Sequence, residues 1–139
     1  MPRLILAALL ALAACSPSDP GADLTPEALG RDWRLVAWSD PGPLPPRATM
    51  DLRDPARAVG QAPCNRWFGA VEGPLPAFRI PMAGATRMAC PDLEAETRFL
   101  AALSQVERAA LDSPAQAEGP RLILTGQQGL RLEFLPQTP

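Results

Sequence analysis

From Arg31 onward the chain alternates between apolar and polar positions at the two-residue period of a strand. Over 31–38, Trp33, Leu35 and Ala37 share one face and Arg34, Val36 and Trp38 the other. Both faces are partly apolar, so the pattern leaves open which is buried. Ala48 to Arg53 alternates as a half-buried strand does and is closed by Asp54-Pro55. Residues 57–62 and 65–71 predict two more extended pieces, with a bend at Pro63-Cys64, a bulge at Gly69 and a turn at Gly73-Pro74. Phe78, Ile80 and Met82 alternate with Arg79 and Pro81 and predict a further one-sided strand, with Pro81 toward an edge because it has no N–H. The clearest alternation comes last. Leu130, Leu132 and Phe134 face one way, Arg131 and Glu133 the other, in a hairpin with 121–125 across Gly126-Gln127-Gln128-Gly129.

The period lengthens only twice. Thr25-Pro26-Glu27 opens a one-turn helix that Gly30 ends. From Pro91 to Arg108, Leu93, Phe99, Leu100, Leu103 and Val106 form a stripe at three-to-four spacing, which predicts an amphipathic helix over that range. Asp92, Glu94 and Glu96 in its first turns and Arg108 in its last suit the helix dipole. Prolines 41, 43, 45 and 46 make 40–46 an irregular loop. About six to eight short strands and one main helix define an α+β domain. Short connections make the sheet antiparallel, and a curled, barrel-like sheet with the helix packed on it buries both apolar faces.

Composition narrows the chemistry. The chain has 139 residues, enough for one domain with one core. All 13 basic residues are arginines, and lysine, histidine and tyrosine are missing. That removes a Ser-His-Asp triad, an imidazole base or zinc ligand, a Schiff base and a phosphate-loop lysine. We therefore expect no enzyme activity, no catalytic residue, no metal site and no cofactor. The near-neutral net charge of −2 gives no footprint for nucleic acid.

Leu4 to Ala14 is an unbroken apolar run behind Arg3, too short to span a bilayer, which takes about 20 residues. It fits the apolar core of an export signal. Its end, Leu12-Ala13-Ala14-Cys15, resembles the bacterial lipobox, which implies cleavage after residue 14 and lipidation of Cys15. A single acyl chain holds a protein only marginally, whereas several give a stable anchor. Ser16 resembles the outer-membrane sorting choice, which places the protein in the envelope, facing the periplasm. The expected organisation is a signal peptide at 1–14, a tether at 15–24 and a domain at 25–139. The alternative is an ordinary cleaved signal with an incidental cysteine. Once Cys15 is consumed, Cys64 and Cys90 remain as a pair, and an oxidising compartment favours a disulfide. A redox or metal pair is the competing reading, though the two lie far from Cys-x-x-Cys spacing and lack a histidine.

Several of these residues together resemble the META domain of the HslJ-like heat-shock lipoproteins. They are Trp33-Arg34-Leu35, Gly60, Cys64-Asn65, Gly69, Thr86-Arg87-Met88-Ala89-Cys90-Pro91, the helix with Glu96, Phe99, Leu100 and Leu103, and the final hairpin. The resemblance runs from about Leu29 to Leu135. Pro63, Val71 and Ala109-Ala110-Leu111 depart from it, where the family often has glycine or an aromatic. It implies an exported, often lipid-anchored domain tied to envelope stress and drug tolerance, with no reaction attached.

Asn65, Arg66, Trp67 and Arg87 are the candidate surface-binding residues. Asn65 equally suits a turn, the two arginines an anion patch or plain surface, and Trp67 or its neighbour Phe68 a partner contact or core. The expected protein is monomeric, non-catalytic and anchored through Cys15, and it binds or shields an envelope component. The alternatives are a carrier of a small apolar ligand inside the curled sheet, or a hydrolase inhibitor displayed on 73–85.

Overall fold

Trp33 settles which face of the first strand is inside. It is fully buried with Leu35 beside it, and its indole N–H donates to the Leu29 carbonyl at 2.9 Å. The computed structural model of the chain describes residues 23–113 and 119–138. The leader, Cys15 and the tether as far as Ala22 lie outside the described residues. Helix α1 (Pro26–Leu29) is capped by Thr25, whose hydroxyl accepts from the Ala28 N–H. Strands β1 (Asp32–Trp38), β2 (Thr49–Asp54), β3 (Arg57–Gln61), β4 (Arg66–Ala70) and the two-residue β5 (Gly84–Ala85) follow. Helix α2 (Leu93–Ser104), β6 (Val106–Asp112), β7 (Arg121–Gly126) and β8 (Arg131–Pro136) complete the chain.

The strands form one curled antiparallel sheet, a half-barrel in the order β5-β4-β3-β2-β1-β8-β7-β6. The fold is α+β, as the periodicity predicts. Trp33, Trp67, Phe78, Phe99 and Phe134 fill the interior, with Met50, Ile80 and the leucines of α2, β7 and β8 around them. Trp67 and Phe99 meet edge to face at 6.2 Å, which fixes α2 against β4.

Two expectations need correction. The helix does not run to Arg108: it ends at Ser104, and Val106–Asp112 is β6, paired along its length with β7. Val106 is buried, but as a strand residue. Residues 78–82 do not form a strand. Phe78 donates to Glu107 and Arg79 exchanges bonds with Glu72, so neighbouring residues serve different partners, and Met82 is 82% exposed. The segment instead ties the β6 edge to the chain beyond β4. The Ala109 N–H also bonds the Pro76 carbonyl, which covers the edge of β6.

Gly60 is required by a close approach. A Cβ there would collide with the Thr49 carbonyl and stand 2.8 Å from the Trp67 indole nitrogen, the two groups that hydrogen-bond each other at 2.9 Å. Gly60→Ala is expected to destabilise the domain by about 2 kcal/mol or more through overpacking. Denaturant unfolding checks this.

Glu133 on β8 accepts from Arg131 Nε and from Arg121 Nη1, each at 2.7 Å. The bond from Arg131 does most to hold its carboxyl below the ordinary 4.5, that from Arg121 helps, and partial burial opposes both. A depressed carboxyl contributes stability above its unfolded value and loses it as pH falls through the folded one. Glu133→Gln is therefore expected to cost about 1 kcal/mol at pH 7, an amount kept small by the exposure of the arginines. The gap from the parent should close as pH drops below 4.5.

Candidate binding face beside the disulfide

The site is built outward from a buried carboxylate. Glu96 lies one turn into α2, its backbone N–H bonded to the Asp92 carbonyl, and is 5% exposed. One oxygen, Oε2, accepts the backbone N–H groups of Cys64 and Asn65 at 2.8 Å, and Oε1 accepts Asn65 Nδ2 at 2.7 Å. The bend between β3 and β4 thus hands its orphan donors to a side chain on the helix. Asn65, also buried, turns the other way through Oδ1, which accepts the Met88 N–H at 2.6 Å and the Thr86 hydroxyl at 3.2 Å. A disulfide joins Cys64 to Cys90 across the same three segments. Bend, β5 strand and helix are therefore fixed to one another by covalent and charged links.

Each candidate residue has a definite place. Asn65 is not at the surface; it holds the bend, and its polar groups are spent internally. Trp67 is not at the surface either, because in the pleat of β4 it takes the inward position beneath α2 and its indole N–H reaches Thr49. The neighbour, Phe68, points out and is 45% exposed, with Arg57 stacked 6.0 Å from its ring. Arg66 and Arg87 are exposed and form no ion pair among the described residues. The sequence does not single out Glu96, because helix-dipole complementarity already accounts for an acid in the first turns. Its three-residue spacing from Phe99 was the available signal, since it places the carboxylate on the apolar stripe.

Around this frame lies the most apolar part of the exposed surface. Phe68, Met82, Met88 and Leu93 are four of the five large hydrophobic side chains exposed among the described residues; the fifth, Leu44, is elsewhere. Phe68 is a ridge between two hollows. One, of about 610 Å³, is lined by residues 83–89 and Leu93 over a floor of Asn65 and Glu96. The other, of about 400 Å³, is lined by Ala56, Arg57, Gly69, Ala70 and Met82. The edge strand β5 runs beside them. Methionines and an aromatic on a rigid base, rimmed by cations, suit contact with a partner. The carboxylate in the floor already accepts three N–H donors. Among the described residues no cluster of three or more Cys, Asp or Glu side chains is arranged to hold a metal ion.

A separate apolar cleft of about 410 Å³ lies where the chain enters the domain. Its lining includes Leu24, Pro26 and Leu29 together with Leu52, Val71, Leu75 and Phe78.

A half-barrel with one helix stapled to its β3–β4 bend defines a small α+β domain with an apolar face beside the staple. The chain belongs to the META domain family, whose model matches residues 22–139. Among solved structures it is similar to a protein from Burkholderia xenovorans determined by NMR, at 24% identity and a TM-score of 0.66 over the full length of both chains. A second NMR structure is similar at 20% identity and a TM-score of 0.50, covering 80% of this chain and 93% of the other. At these identities the likeness concerns the fold. No curated protein matches.

Proposed function

We propose that this META-domain protein is a non-catalytic lipoprotein of the bacterial envelope. It is held to the outer membrane through Cys15, facing the periplasm, and contributes to envelope stress tolerance by binding an envelope component with its β4–β5 face. The observation that carries the reading is the gathering of Phe68, Met82, Met88 and Leu93 around hollows whose linings include Arg57 and Arg87. The lipobox and the missing catalytic residue types support the rest.

The test is complementation of a deletion strain challenged with heat, detergent and bulky antibiotics. Wild-type protein is expected to restore tolerance. The Met82→Ser/Met88→Ser/Arg87→Glu variant, which touches only exposed side chains, is expected to accumulate normally and fail to restore it. A deletion strain as tolerant as its parent contradicts the reading. A second reading, a carrier of a small apolar ligand, is favoured by the cleft at the chain entry; the curled interior itself is filled by aromatic side chains.

A further inference from the structure

The cleft at the chain entry does not belong to the binding face, and its position says what fills it. Its walls come from α1, the end of β2, the end of β4 and the 73–78 segment, and all but Thr25 and Asp54 are apolar side chains or glycine. At about 410 Å³ it lies toward the small end of the range of about 300–1,000 Å³ usual for ligand sites. That suits one slender apolar body. The first wall residue, Leu24, stands nine positions after Cys15. A fully extended chain of that length reaches at most about 30 Å, so whatever is attached to Cys15 starts within that distance of Leu24. An acyl chain fills one leaflet of an apolar layer about 30 Å thick, so it is about 15 Å long.

We infer that the cleft holds one acyl chain of the protein's own lipid anchor at Cys15, a conclusion that rests on the lipidation proposed above. Three features favour this occupant over a free lipid. Attachment supplies the chain at an effective concentration in the millimolar range, which a freely diffusing lipid does not match. The charged side chain in the lining is Asp54, an anion, which repels the carboxylate of a fatty acid and the phosphate of an anionic phospholipid; the ester and amide links on an N-acylated lipid-modified cysteine are uncharged. Finally, two chains suffice for a stable anchor, so a third can leave the bilayer without releasing the protein. The seated chain would hold α1 and the 73–78 segment against the membrane end of the domain and set its orientation.

The test feeds cells a fatty acid carrying a photoreactive diazirine, irradiates isolated envelopes and maps the adducts on the full lipidated protein after tryptic digestion. The expected product joins the lipid-bearing peptide 15–31 to peptide 67–79, which contains Val71, Leu75 and Phe78. Leu75→Asp is expected to lower its yield about tenfold, a change of about 1.4 kcal/mol that an unpaired carboxylate in an apolar slot readily exceeds. Label on Cys15 without that product overturns the inference and leaves lipidation standing. Peptide 67–79 joined to phospholipid instead assigns the cleft to free lipid and also overturns it. A Cys15 peptide without any label removes both the occupant and the proposed anchor. Leu24→Asp, in the same lining, serves as the second variant if Leu75→Asp does not accumulate.

Discussion

Glu96→Ala is expected to destabilise the domain by about 4 kcal/mol, because two backbone N–H groups and an amide lose a charged acceptor in a buried place. Alanine offers no acceptor, and the Cys64–Asn65 bend has few other partners to turn to. Glu96→Gln keeps the shape but turns an N–H₂ group toward one set of donors, so a loss of about 2 kcal/mol is expected. Denaturant unfolding with the disulfide intact gives both values. Amide hydrogen exchange supplies the local signature: protection at Cys64, Asn65 and Met88 should fall before that of β7 and β8. If Glu96→Ala leaves stability within about 0.5 kcal/mol of the parent, the level of an ordinary surface change, the buried carboxylate does not organise the site.

The second large effect is loss of the staple. The cysteines are 26 residues apart, and removing a cross-link over that span costs about 3.5 kcal/mol on the chain-entropy account. Cys64→Ser/Cys90→Ser, or reduction of the parent, is the measurement. Because the disulfide and Glu96 restrain the same bend, the two changes should not add: combined loss should differ from the sum by more than about 0.5 kcal/mol. An additive result would mean that carboxylate and disulfide act on independent parts of the fold. The partner-facing consequence follows from the same links. Met88 is bonded to Asn65 and Leu93 opens α2, both within the linked segments, so loosening either link moves the exposed face while the hairpin of β7 and β8 stays intact.

Much of this architecture is legible in the residues. β1, β2 and β8 each carry a two-residue period, the extended pieces on either side of Pro63-Cys64 are β3 and β4, and the Gly126–Gly129 turn joins β7 to β8. The end of α2 is not legible, for a physical reason. Neither proline nor glycine follows Pro91 before Pro114, Val106 continues the apolar stripe, and Ala109-Ala110 favour helix. Pairing with β7 overrides that preference, and Gly126 lets β7 approach the Gln105 carbonyl, where a Cβ would collide. The 78–82 segment misleads in the opposite way. Its alternation is real, since Phe78 and Ile80 are buried, but the bonds of Ala77 to Arg79 divide between β6 and Glu72, so no ladder forms. The binding face was half visible. Arg66 and Arg87 are exposed as a surface role needs, whereas Asn65 and Trp67 support that surface from beneath, and the pleat of β4 exchanges Trp67 for Phe68.

We propose a domain completed outside the reducing cytoplasm, anchored at Cys15 and stapled through Cys64 and Cys90. Peptide mass mapping of protein extracted from envelopes, digested without reductant, tests it most directly. The expected result is an acylated Cys15 peptide with nothing preceding it, and the Cys64 and Cys90 peptides joined as one species. An intact leader with Cys15 unmodified and both remaining thiols free would contradict it.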